Sequence, residues 1–129
     1  MTSIQVADQG FIAAPPDEVA ALVRNRRNWR RWWPDLVLEV REDRGGKGIR
    51  WTVSGPLTGT MEAWLEPVLD GVVVHYFLHA EPDAAMSGGA LAEAIRVRRT
   101  AGKTMTFEVK SILEAGRAPG EPPRHRVAG

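Results

Sequence analysis

The sequence predicts an α+β domain in which a curved antiparallel sheet of about five strands wraps a long C-terminal helix, in the order β-α-α-β-β-β-β-α. The first observation is a set of alternating apolar segments between residues 36 and 81, separated only by short turns, which makes neighbouring strands antiparallel. The second is a run from about Ala90 to Ala115 with Leu91, Ile95, Ala101, Met105, Val109 and Ile112 at helical steps. The third is an N-terminal strand pattern that stops at Ala14-Pro15-Pro16.

Composition agrees with one modest domain. The chain has 129 residues, 43% hydrophobic and 26% charged, with a formal net charge of +1. A chain of this size buries roughly two-thirds of its unfolded surface, enough for one core without staples. There is no cysteine, which excludes disulfides, thiolate nucleophiles and Cys-based zinc sites. The first residues carry no basic-then-apolar leader, and no apolar run approaches the roughly 20 residues of a membrane span, so a cytoplasmic location is expected. The near-neutral balance argues against a polyanion-binding molecule. Two basic clusters, Arg24 to Arg31 and Arg96 to Lys103, read as solvated helix faces.

Taken in order, Ile4 to Ala13 forms the first strand. Proline fits a helix's first turn, and Asp17 and Glu18 place negative charge at the positive end of the helix dipole. Val19, Leu22 and Val23 give that helix an apolar stripe, and a second short helical turn, Trp29-Arg30-Arg31-Trp32-Trp33, ends at Pro34. Strands are expected over Leu36 to Glu42, Ile49 to Ser54, Thr58 to Glu66 and Val72 to Glu81, with turns at Arg44–Lys47, Gly55–Leu57 and Asp70-Gly71. Gly102 weakens the terminal helix by about 1 kcal/mol relative to alanine unless a neighbour needs the space. Gly116 is a natural C-cap, and residues 118–129, with three prolines, read as a disordered tail after a domain spanning 1–117.

This order resembles the START-like (SRPBCC) superfamily, in particular its polyketide cyclase/dehydrase and lipid-transport branch. Ala14-Pro15-Pro16-Asp17-Glu18-Val19, Trp29-Arg30-Arg31-Trp32-Trp33-Pro34, Trp64-Leu65-Glu66-Pro67 and the ending Leu113-Glu114-Ala115-Gly116-Arg117 carry the resemblance, across about residues 4 to 117. It implies a helix-grip fold whose sheet and terminal helix enclose a cavity for a hydrophobic, polyketide- or lipid-like molecule, with cyclase- or dehydratase-type chemistry an open question. The sheet is shorter than is usual in the family, which implies a smaller or more open cavity. On the expected inner faces, Trp51, Met61, Tyr76 and Leu78, with Met105 from the helix and Trp33 from the short turn, are the ligand-binding candidates.

No phosphate loop, zinc-protease pair, nucleophile elbow or cofactor motif occurs, and no metal site is expected. If Asp70-Gly71 is the two-residue turn, Glu66 faces His75, Trp64 faces Phe77, and Glu62 faces His79. A carboxylate beside an imidazole can do acid–base work, making Glu62 and His79 the catalytic candidates if that face looks inward. The Met61, Ala63, Leu65, Val74, Tyr76, Leu78 face is more apolar and is expected to cover the helix. The Glu–His pairs then lie outside, unless a bulge near Thr58-Gly59 switches the faces. That leaves Trp64 and Phe77 as an outward aromatic pair, an alternative role being a non-enzymatic interface or homodimer. Interleaved Arg and Trp in the second helix could also stack on single-stranded nucleic acid, a reading weakened if those rings are buried.

Overall fold

A computed structural model describes residues 3–115. The expected tail, the Gly116 cap and the domain boundary at 117 lie outside the described residues. The elements are β1 (Ile4–Ile12), α1 (Pro16–Val23), α2 (Arg26–Trp32), β2 (Val37–Asp43), β3 (Gly48–Ser54), β4 (Leu57–Val68), β5 (Gly71–Pro82) and α3 (Gly88–Leu113), with one 3-10 turn at Gly45–Lys47. The strands make one antiparallel sheet in the order β1-β5-β4-β3-β2, and α3 packs across it, the helix-grip arrangement.

Local chemistry accounts for the boundaries. Pro16 opens α1 with Asp17 and Glu18 in its first turn. Asn25 starts the next helix, its side chain accepting from the Arg27 N–H at 3.0 Å. Ser87 caps α3 in the same way through the Ala90 N–H at 3.2 Å. The face of α3 that is buried runs Arg98, Gly102, Met105, Val109, Leu113. Gly102 answers the question its sequence position raised: a Cβ there would lie 2.4 Å from the Tyr76 ring. Glycine is required for close approach.

The inner sheet face is the apolar one. Met61, Ala63, Leu65, Val74, Tyr76 and Leu78 are each at most 1% exposed. The β4–β5 turn, however, is Leu69-Asp70 rather than Asp70-Gly71, because Val68 pairs with Gly71. Gly71 is already in the strand and passes so close to β1 that a Cβ would meet the Ile12 carbonyl oxygen at 2.3 Å. Leu69 takes the positive φ of 53° that a tight turn demands. The expected pairs are therefore displaced: Trp64 faces His75, Glu62 faces Phe77, and His79 faces Thr60. The displacement is by two residues, so no side chain changes face. Nor does a bulge occur at Thr58-Gly59, where β4–β5 pairing is continuous and β3 pairing ends at Gly59; the irregularity sits in β2, between Val40 and Glu42.

Two predictions concern these glycine-type positions. Leu69 is 98% exposed and packs nothing, so Leu69→Gly should raise stability by roughly 0.5–1 kcal/mol in reversible denaturation, relief of positive φ outweighing the added unfolded-state entropy. Gly102→Ala should lower it by about 1–3 kcal/mol through overpacking against Tyr76, whatever helix propensity alone would favour.

Candidate functional site

Pro34 ends α2 and leaves Trp29, Trp32 and Trp33 laid against the sheet and α3. All three are at most 5% exposed, which removes the rings from any nucleic-acid stacking role. The Trp33 ring stacks on Tyr76 of β5, with centroids 6.1 Å apart and planes 12° apart, and meets Trp51 of β3 at 5.3 Å. Trp29 meets Trp51 edge-on, also at 5.3 Å. The Tyr76 hydroxyl donates to the Met61 sulfur at 3.4 Å. Trp33, Trp51 and Tyr76 are thus brought together as a packed aromatic cluster with the Met61 sulfur against it, and Leu78 and Met105 belong to the same core. Side chains fill the region where the sequence placed cavity walls. Concave space opens beside it: a pocket of about 320 Å³ over Trp33, lined also by Arg26, Trp29, Arg30, Leu36 and Leu38, between α2 and the start of β2.

The polar atoms of this region divide into two groups. Trp29 Nε1 donates to the Val23 carbonyl and Trp32 Nε1 to a Glu108 carboxylate oxygen, both at 2.7 Å. Trp33 Nε1, Trp51 Nε1 and Arg98 Nε are buried with no acceptor among the described residues. Trp33 Nε1 is turned toward the Tyr76 hydroxyl closely enough to favour the phenolate slightly, but not in hydrogen-bond geometry. Burial dominates and pushes the Tyr76 phenol up to about 12, so it stays protonated at neutral pH.

Arg98 corrects the reading of its basic cluster as a solvated face. It is 8% exposed, and its guanidinium donates to both Asp35 carboxylate oxygens, at 2.8 and 2.6 Å. The bond from Arg98 holds the Asp35 carboxyl below the usual carboxylate range, against a smaller opposing effect of burial. This pair fastens the segment after Trp33 to α3. Neither residue is among the sequence-based site candidates. The available signal was spacing, since Arg98 lies on the same stripe as Gly102, Met105 and Val109.

Glu62 and His79 lie on the opposite, outer face of the sheet and are not directly paired. The Glu62 carboxylate is bound by Arg44 at 3.1 Å and Arg50 at 3.0 Å, and His79 is exposed. Glu66 instead bonds His75 Nε2 at 3.0 Å, across the diagonal. Trp64 stacks on His75 at 4.5 Å and His75 on Phe77 at 6.3 Å, forming a partly exposed aromatic ladder. Among the described residues, no group of three His, Asp or Glu side chains is placed to hold a metal ion, and no helix is long and apolar enough to cross a membrane.

No protein-family model and no curated protein matches the chain. Solved structures do match its fold. The Aha1 protein from Colwellia psychrerythraea, solved in solution as a dimer, aligns with a TM-score of 0.62 at 14% identity, over 89% of this chain and 99% of that one. The di-domain ARO/CYC StfQ from the steffimycin biosynthetic pathway aligns with a TM-score of 0.64 at 15% identity, over 84% of this chain and 49% of that one. The Polyketide_cyc-like protein Cgl2372 from Corynebacterium glutamicum aligns with a TM-score of 0.55 at 19% identity, over 87% of this chain and 91% of that one. Packing, topology and these likenesses agree that the chain has the helix-grip fold.

Proposed function

We propose that this domain binds a small apolar or aromatic molecule, polyketide- or lipid-like, that carries an acceptor oxygen. The main support is the set of three buried donors, Trp33 Nε1, Trp51 Nε1 and Arg98 Nε, left without acceptors among the described residues. Buried donors in folded proteins are almost always partnered, and an unpartnered one costs about 1–3 kcal/mol. A ligand oxygen reaching past Trp33 from the 320 Å³ pocket would offset that cost, while its apolar body covers Leu36 and Leu38. Trp33, Trp51 and Tyr76 would form the inner contacts, with Met61, Leu78 and Met105 behind them. The ARO/CYC and Polyketide_cyc-like descriptions of two structural neighbours support a polyketide-like ligand.

The same groups favour binding over catalysis. Protonated Tyr76 and the indole N–H groups can polarise a carbonyl. Cyclase- or dehydratase-type chemistry also needs a base. The nearby carboxylate, Asp35, is occupied by Arg98, while Glu62 and His79 face the other way.

A second reading rests on the Trp64–His75–Phe77 ladder, whose rings present partly exposed aromatic surface between charged pairs. An aromatic centre with a polar rim suits an interface between two copies of the chain.

Each reading has a direct test. Calorimetric titration with 1-naphthol and its apolar isostere 1-methylnaphthalene should show naphthol binding about tenfold tighter, with most of that preference lost in Trp33→Phe. Absence of binding by both, or equal affinity for both, contradicts the ligand reading. For the interface, light scattering should find a dimer that Trp64→Glu converts to a folded monomer. A wild-type protein that is monomeric at high concentration rules out this interface.

A further inference from the structure

Several arginines on α3 or in and beside α2 hold a carboxylate. Arg24 bonds Asp43, Arg31 bonds Glu108, and Arg98 bonds Asp35. Among the described residues, Arg26 and Arg30 hold none. They stand one helical turn apart on α2, on the same side, and both line the pocket over Trp33. Two unpaired like charges at that spacing repel each other, and no acidic residue lines the pocket to compensate. Arg26 is further held in place, its guanidinium centred 5.2 Å from the Trp29 ring. The rest of the lining is apolar or aromatic, through Trp29, Trp33, Pro34, Leu36, Val37 and Leu38. Cations at the rim over an apolar wall describe a receptor for one class of molecule.

We infer that the ligand is an amphiphilic anion, an apolar or aromatic body bearing a carboxylate or phosphate that Arg26 and Arg30 grip at the pocket mouth. The inference rests on the ligand-binding reading above and adds the charge and the location of the headgroup. Guanidinium groups bind carboxylate and phosphate with comparable geometry, so the two head chemistries share the site. The competing source of negative charge is a membrane surface, toward which exposed Arg27 would also contribute.

The experiment is titration of the full chain with 1-naphthoate, 1-naphthyl phosphate and neutral 1-naphthol, at low and high salt. At least one of the two anions should bind about tenfold or more tighter than naphthol, and the advantage should shrink as salt rises. Which anion gains identifies the headgroup. Arg26→Gln and Arg30→Gln should each bring the anion-to-naphthol affinity ratio toward one, whereas Arg27→Gln, on the same helix but outside the pocket, should leave it unchanged. These side chains are exposed and hold no partner that folding needs, and thermal melting of each variant checks this. If naphthol binds as tightly as both anions, the headgroup inference fails while ligand binding stands. If none of the three binds, both fail. If the soluble anions gain nothing but vesicles of phosphatidylglycerol are bound through Arg26, Arg27 and Arg30, the basic face is a membrane contact and the proposal is overturned.

Discussion

The Tyr76 ring occupies the notch that Gly102 leaves in α3, and the distance between helix and sheet follows from that contact. Any side chain at residue 102 would push the helix outward. Because the helix lies so close, Met105 and Val109, on the next turns, are lowered into the core and fully enclosed. One turn in the other direction, Arg98 comes within reach of Asp35. Tyr76 also presents the face on which Trp33 stacks, so α2 is located by the same ring that locates α3. Packing of this kind is directional in consequence: moving one ring displaces several elements.

Polar groups inside this packing are handled unevenly. The indoles of Trp29 and Trp32 are tied to a carbonyl and a carboxylate, and act as fixed parts of the scaffold. The Arg98–Asp35 pair joins a buried cation to a half-exposed anion. Solvent screening moderates what it adds to stability. Its sign is nevertheless definite. Because the Asp35 carboxyl is held below its unfolded value, the contribution is present above the unfolded pKa and is lost as pH falls through the folded one. Trp33 and Trp51 differ from their neighbours in having no acceptor among the described residues.

The two sheet faces have separate roles. The inner face carries Trp51 and Tyr76, against which Trp33 packs. The outer face carries cross-strand charge pairs, Arg50–Glu62 directly opposite and Glu66–His75 on the diagonal, around a stacked ladder. Acid–base groups on the outer face cannot act on a molecule held between sheet and helix, whichever partners they take.

The sequence by itself determined the element order, the antiparallel sheet, the long closing helix and the apolar face, because period-two and helical alternation are local signals that survive modest errors of register. It also placed Trp33, Trp51, Met61 and Tyr76 on surfaces that converge. It could not decide the β4–β5 turn, since Asp70-Gly71 is the better local turn, whereas in the structure Gly71 lies in the strand against Ile12, a contact between elements far apart in the chain. Nor could it separate Arg98 from its basic neighbours, whose local surroundings are alike; burial and the Asp35 partner exist only once α3 is packed. Only the tertiary structure decided that the aromatic residues fill one another's space, that open volume lies over Trp33 beside α2, and which donors are left without acceptors. Those are properties of three-dimensional packing, and no pattern along the chain encodes a hydrogen bond that is missing.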